Sequence, residues 1–188
     1  MDNSMNNEHG KADILSSKLQ LIVDNKVPEK FTTQFNKTFE WIWLTNSVAE
    51  DLIAIRNAEH VLSNMRNSSP ITMEEHLKFL KTYVSLQRID FVLIDKDTDL
   101  YVGGVNICLT DNGFEMGKYI GNLNYIGKGI AYPMTRNFIR YVNDNLNEIN
   151  NIRAVTRLDN ARNINLNFKL GFKIIKRVEK DYWLMGIE

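Results

Sequence analysis

The chain holds one cysteine, three prolines and ten glycines among 188 residues, and its 23 lysines and arginines offset 23 aspartates and glutamates to a formal net charge of zero. Each shortage excludes something. A lone cysteine closes no intramolecular disulfide, and Cys108, set in the apolar run Val105 to Leu109, reads as a small buried hydrophobe rather than a nucleophile. A reducing, cytoplasmic setting is expected. The lack of a cationic excess speaks against a protein devoted to nucleic acid phosphates or an anionic membrane surface, since both demand one. Long hydrophobic runs are missing too: Trp41 to Leu44 and Phe91 to Ile94 fall far short of the roughly 20 residues that span a bilayer. Met1 to Lys11 is polar, without the apolar region of a secretory signal. No nucleic acid or membrane partner is expected. No spacing of Cys, His and carboxylate residues suggests a metal site, and His9 and His60 have no ligand-like neighbours in the sequence.

What is present is an ordinary globular composition, 44% hydrophobic and 24% charged, at a length that suits one domain. Residues 1–12 read as a mobile tail and 13–38 as an N-terminal extension, in which Leu19, Leu21 and Val23 alternate like a strand. A regular pattern occupies 39–188. Phe39 to Leu44 reads as a strand. Ser47 with Glu50 offers a capping box for a helix through Arg56, and Thr72 with Glu75 offers another for a helix with Leu77, Leu80 and Val84 on one face. Ile89 to Asp95, Tyr101 to Leu109 and Phe114 to Ile120 read as three strands joined by short turns, hence an antiparallel meander. A long helix follows Gly127-Lys128-Gly129, with Met134, Phe138, Tyr141 and Val142 on one face and Pro133 in its first turn. The strand Ile152 to Leu158, a short helix capped by Asp159 or Asn160 and ended by Gly171, and the strands Phe172 to Val178 and Tyr182 to Ile187 complete the chain. The fold class is α+β: a mixed, mostly antiparallel sheet flanked by about four helices.

The segment Ile126-Gly127-Lys128-Gly129-Ile130-Ala131 stands between a strand and a helix. Glycines there let backbone N–H groups curl around an anion, and the helix N-terminus adds partial positive charge, so a phosphate or pyrophosphate could sit there. An ordinary strand-to-helix turn is the alternative. The segment is neither a Walker loop nor a Rossmann fingerprint.

Taken together, Phe114-Glu115-Met116-Gly117-Lys118-Tyr119-Ile120-Gly121, the glycine turn, and Asp159-Asn160-Ala161-Arg162-Asn163 running to Lys169-Leu170-Gly171-Phe172 resemble the GNAT acyltransferase superfamily, over roughly Phe39 to Ile187. The resemblance implies a splayed pair of central strands with acetyl-CoA in the gap and no metal. It implies that the backbone amides of Ile126, Gly127, Lys128, Gly129, Ile130 and Ala131 bind the pyrophosphate, although Ile126 stands where the family usually has Gln or Arg. Asn160 matches an Asn that contacts the pantetheine arm, and Arg162 lies near enough in sequence to assist the phosphates. Catalysis by direct attack in a ternary complex is implied, with Glu115 where many relatives carry a base. Asn167 occupies the place of the family's usual acid, a tyrosine, for which Tyr125, Tyr132 or Tyr182 could deputise.

Arg56-Asn57, Met65-Arg66-Asn67 and Glu74-Glu75-His76 resemble a branch that includes amino-sugar-nucleotide and Rim-type ribosomal-protein acetyltransferases. Arg56 and Arg66 could bind a diphosphate bidentately, and His76 could hydrogen-bond a sugar or act as a base. The alternatives are surface arginines and a capped, partly buried histidine. Three functions are therefore in play: an N-acetyltransferase acting on a small primary amine, foremost an amino-sugar nucleotide; a Rim-type protein N-terminal acetyltransferase; and a non-catalytic acyl-CoA-binding regulatory protein. The extended segment before Phe39 could pair with the sheet or with a second copy, so a homodimer is a further expectation.

Overall fold

Residues 26–83, 86–146, 149 and 151–187 are described by a computed structural model. The expected strand through Leu19, Leu21 and Val23 and the tail before it lie outside the described residues. The strands are β1 (Phe31–Thr32), β2 (Thr38–Trp43), β3 (Arg88–Asp95), β4 (Leu100–Thr110), β5 (Gly113–Ile120), β6 (Ile152–Arg157), β7 (Lys173–Val178) and β8 (Tyr182–Ile187). The α-helices among the described residues are α1 (Ala49–Arg56), α2 (Glu59–Leu62), α3 (Met73–Thr82), α4 (Ala131–Asn145) and α5 (Ala161–Lys169). One sheet holds the strands in the order β1-β2-β3-β4-β5-β6-β8-β7. All neighbours run antiparallel except β5 and β6.

The meander forms where the sequence places it because its turns carry their own hydrogen-bonding side chains. Asp95 Oδ1 accepts from the Asp97 N–H at 3.0 Å, and Thr110 Oγ1 accepts from the Asn112 N–H at 3.1 Å. On one face of the meander, Ile89, Phe91, Leu93, Val105, Ile107 and Met116 join the core with Met134, Phe138, Tyr141 and Val142 of α4. The Phe91 ring meets those of Phe138 and Tyr141 edge-on at 6.1 and 5.3 Å. Of the β3 residues that alternate with this set, Arg88 and Asp90 carry polar groups, while Val92 is buried and apolar. Arg88 donates twice to Asp90, at 2.6 and 2.7 Å, and the Tyr83 hydroxyl beside α3 donates to the same carboxylate at 3.2 Å.

Two local expectations are corrected. Ser47 does not cap α1: a 3-10 turn at Asn46–Val48 precedes the helix, Val48 takes the N-cap position, and the Ser47 hydroxyl is bonded to Thr45 Oγ1 at 2.8 Å. The Thr72 and Glu75 box does form, each side chain meeting the other's backbone N–H. On that helix, however, the buried residue is His76, while Leu77 is 38% exposed, so the packed face is turned away from Leu77; Val84 lies outside the described residues. The short helix α2, which buries Val61, has no counterpart in the sequence reading.

β5 and β6 pair through Phe114↔Ile152 and Glu115↔Arg153 alone. Beyond that, Met116 to Ile120 and Ala154 to Arg157 separate, and each strand keeps its other neighbour, β4 and β8. The chain leaves β5 through a 3-10 turn at Leu123–Tyr125 and enters α4 past Gly127 and Gly129. Among the described residues no helix is long and apolar enough to cross a membrane.

Candidate active site

A parallel pair that parts after two positions leaves strand edges unbonded, which a folded protein tolerates where a ligand can supply the missing partners. Beside the unpaired end of β5 lies a cavity of about 570 Å³. Its walls are Lys118, Tyr119 and Ile120 from β5, the turn from Ile126 into the start of α4, His60 and Val61 from α2, and α5 from Asn160 to Lys169.

The turn leaves backbone N–H groups facing open space. Gly127 and Gly129 take φ of +74° and +72°, a region that costs an L-residue about 1–2 kcal/mol. A Cβ at either position would meet nothing within 4 Å, so the glycines serve the backbone path and leave open space before it. The 15-residue helix α4 starts at once, with no side-chain cap on its first N–H groups and no acidic residue in its first turn. Its unpaired amides and positive end therefore remain available to a negatively charged group.

The charge of the lining agrees. Among the described residues it contains Lys118, Arg162, Lys169 and His60 and no carboxylate, in a chain whose net charge is zero. Arg162 and Lys169 are exposed at the rim. Lys118 is different: burial lowers its pKa to about 8, and its Nζ donates to Asn167 Oδ1 at 2.7 Å. Asn167 is fully buried and held in turn, its Nδ2 donating to Thr156 Oγ1 at 3.1 Å. This hydrogen-bonded bridge runs from β5 through α5 to β6, across the gap between the parted strands.

Of the residues singled out in the sequence, Ile126, Gly127, Gly129, Ile130, Ala131, Tyr132, Asn160 and Arg162 line this one cavity. Lys128 sits exposed between the two glycines and is outside the lining. Asn160 has both ends of its amide in use: Oδ1 accepts from the Asn163 N–H, and Nδ2 donates to Asn64 Oδ1 at 2.7 Å. Tyr125 reaches the lining with its ring, but its hydroxyl donates to Asp95 at 2.7 Å. Tyr132 is 37% exposed at the mouth, and Tyr182 is not part of the wall.

Glu115, Arg66, Arg56 and His76 lie outside the lining. Arg66 Nη2 donates to Glu115 Oε1 at 3.0 Å and Arg66 Nε is 3.5 Å from Glu179, so that guanidinium already has two carboxylates. The second oxygen of Glu115 is buried and has no hydrogen-bond partner among the described residues. Arg56 is partly buried, and desolvation together with the nearby Arg88 charge lowers its pKa, with Tyr119 opposing. Burial likewise lowers the His76 pKa against the pull of Asp90. Arg56 Nη1 and His76 Nε2 have no hydrogen-bond partner among the described residues.

Sequence reasoning gave no role to three lining residues with basic side chains, His60, Lys118 and Lys169. His60, whose Nε2 lies 3.0 Å from the Ile120 carbonyl oxygen, carried no signal, because α2 itself is not readable. Lys118 did carry one: it interrupts the alternating set Met116, Lys118, Ile120 with a charge on the face that packs inward. Among the described residues no group of three or more His, Cys, Asp or Glu side chains is placed to hold a metal ion.

A family model described as an acetyltransferase (GNAT) domain matches residues 42–173. Solved structures share the fold. The spermidine N-acetyltransferase of Vibrio cholerae, in complex with CoA and spermine, is similar at a TM-score of 0.70 and 16% identity, covering 79% of this chain and 94% of that one. The ribosomal-protein-S5-alanine acetyltransferase of Vibrio fischeri is similar at 0.67 and 19%, covering 85% and 96%. An aminoglycoside acetyltransferase in complex with coenzyme A is similar at 0.67 and 13%, covering 79% and 94%. No curated protein sequence matches the chain.

Proposed function

Since the chain belongs to the GNAT acetyltransferase family, we propose that it transfers the acetyl group of acetyl-CoA to a primary amine of a small molecule by direct attack in a ternary complex. The observation that carries this reading is the cavity beside the parted strands, where the glycine turn and the uncapped start of α4 meet a wall with three cations and no carboxylate. Phosphates would be held by backbone N–H groups from Gly127 to Ala131 with Arg162 and Lys169 at the rim, and the acyl arm would run along the unpaired edge of β5. Cys108 stands apart from this lining, and burial raises the pKa of its thiol, so no acyl-cysteine intermediate is called for.

An amino-sugar nucleotide is the acceptor to test first, on the strength of the Arg-Asn and Glu-Glu-His resemblance. Arg66 would have to leave Glu115 and Glu179 to clamp a diphosphate, so that acceptor rests on sequence more than on free cations. Purified protein is incubated with acetyl-CoA and, separately, 4-amino-sugar nucleotides, polyamines, aminoglycosides and peptides with an N-terminal alanine, and thiol release is followed. Turnover on a sugar nucleotide supports the reading in full. Turnover only on the peptides moves the substrate to protein N-termini, and turnover on none of them rejects it.

A further inference from the structure

Among the described residues, Lys118 is the cation of the cavity wall that is not exposed at its rim, and no acid among them pairs with it. Its hydrogen-bond partner among the described residues is the neutral amide oxygen of Asn167, which fixes the ammonium on the β5 side of the gap and leaves its other N–H groups unengaged. Asn167 is in turn fixed by Thr156 of β6, so the bridge holds Lys118 where the two strands have parted. A half-buried cation with one neutral partner, facing a cavity, is placed to act on something bound there.

We infer that Lys118 is the proton donor to the sulfur of the departing CoA, held in place by Asn167. This rests on acetyl-CoA occupying the cavity as proposed above. In the step, the acceptor nitrogen bonds to the thioester carbonyl carbon, the C–S bond breaks with its electron pair going to sulfur, and the Lys118 ammonium gives that sulfur a proton. CoA leaves as the thiol, the acetylated nitrogen loses its extra proton to solvent, and the neutral Lys118 amine regains one from water. A pKa near 8 leaves Lys118 largely protonated at neutral pH and close in acidity to a thiol, for which proton transfer is efficient. The other titratable groups of the wall are His60 on α2, Tyr119 on β5, Tyr125 and Tyr132 around the turn, and Arg162 and Lys169 on α5; none is an acid that would neutralise Lys118 at rest. Tyr125 is committed to Asp95, and His60 to the Ile120 carbonyl.

The test follows the ultraviolet absorbance of the thiolate while CoA bound to the full chain is titrated with base, for the wild type, Lys118→Gln and Lys118→Met. Calorimetry confirms that CoA binds each. Glutamine retains a donor for Asn167, so it guards against a packing defect in the methionine variant. A neighbouring cation lowers the thiol pKa by about 1 unit or more, so the wild type shows bound thiolate at lower pH than free CoA and both variants lose that shift. CoA that binds the wild type but titrates as it does free, or shifts equally in the variants, overturns the role of Lys118. Failure of CoA to bind the wild type overturns the acetyl-CoA reading itself. Lys118→Arg keeps the charge but cannot release a proton, so with the amine that turns over it loses at least about 100-fold in kcat. Full turnover of that variant would reduce Lys118 to a fixed charge and also overturn the proposal.

Discussion

Asp95 is wholly buried yet ionised, because Lys37 Nζ at 2.8 Å, the Tyr125 hydroxyl at 2.7 Å and the Asp97 N–H at 3.0 Å all donate to it. Burial pushes its pKa up, and the hydrogen bonds from Lys37 and Tyr125 outweigh this and hold it below the usual carboxylate range. A depressed pKa means stability that is present above the unfolded value, about 3.9, and is lost as pH falls through the lower folded value. Asp95→Asn should therefore lower the unfolding free energy by about 2–3 kcal/mol at pH 7, with a penalty that shrinks once the wild type itself is protonated in acid. Denaturant unfolding at pH 7 and at low pH measures both. Because Tyr125 lines the cavity and hangs from this carboxylate, the same contact fixes one wall of the site. Lys118 and Asp95 are thus opposite solutions for a charge removed from water: the aspartate is surrounded by donors, while the lysine has one neutral acceptor and a cavity in front of it.

At the scale of elements, the parts legible in sequence were those whose cause is local. The meander strands announce themselves by apolar runs and hydrogen-bonding turns, and α4 by Met134, Phe138, Tyr141 and Val142 at helical spacing. The Thr72 box was legible for the same reason, and Thr72→Ala should cost about 1 kcal/mol in thermal or denaturant unfolding, since the Glu75 N–H then loses its acceptor. Ser47 misled because the competing partner of its hydroxyl, Thr45 Oγ1, lies outside the box pattern. Leu77 misled because α3 packs against α1 with His76 on its buried side, and helical spacing alone does not identify that partner. The glycine turn and Asn160 were legible as motifs, whereas the Lys118–Asn167 bridge joins residues 49 positions apart and depends on where β5 and β6 diverge, which no local pattern encodes.

For the whole molecule, a net charge of zero conceals an uneven distribution. The carboxylates pair elsewhere, with Lys37, Arg66, Arg88 and Arg157, while the cavity wall keeps cations alone. A chain without net cationic excess can in this way concentrate cations on one wall. The fold brings together four distant pieces of chain to do so: α2, the end of β5, the start of α4 and α5. Calorimetric titration of acetyl-CoA into the full chain, wild type and Gly129→Ala, tests this account most directly. It predicts saturable binding of one acetyl-CoA per chain, weakened about tenfold in the variant, because a β-carbon at the φ of +72° carries a penalty of about 1–2 kcal/mol that disfavours the turn's backbone path. An absence of binding heat in the wild type, or an affinity that Gly129→Ala leaves unchanged, would contradict it.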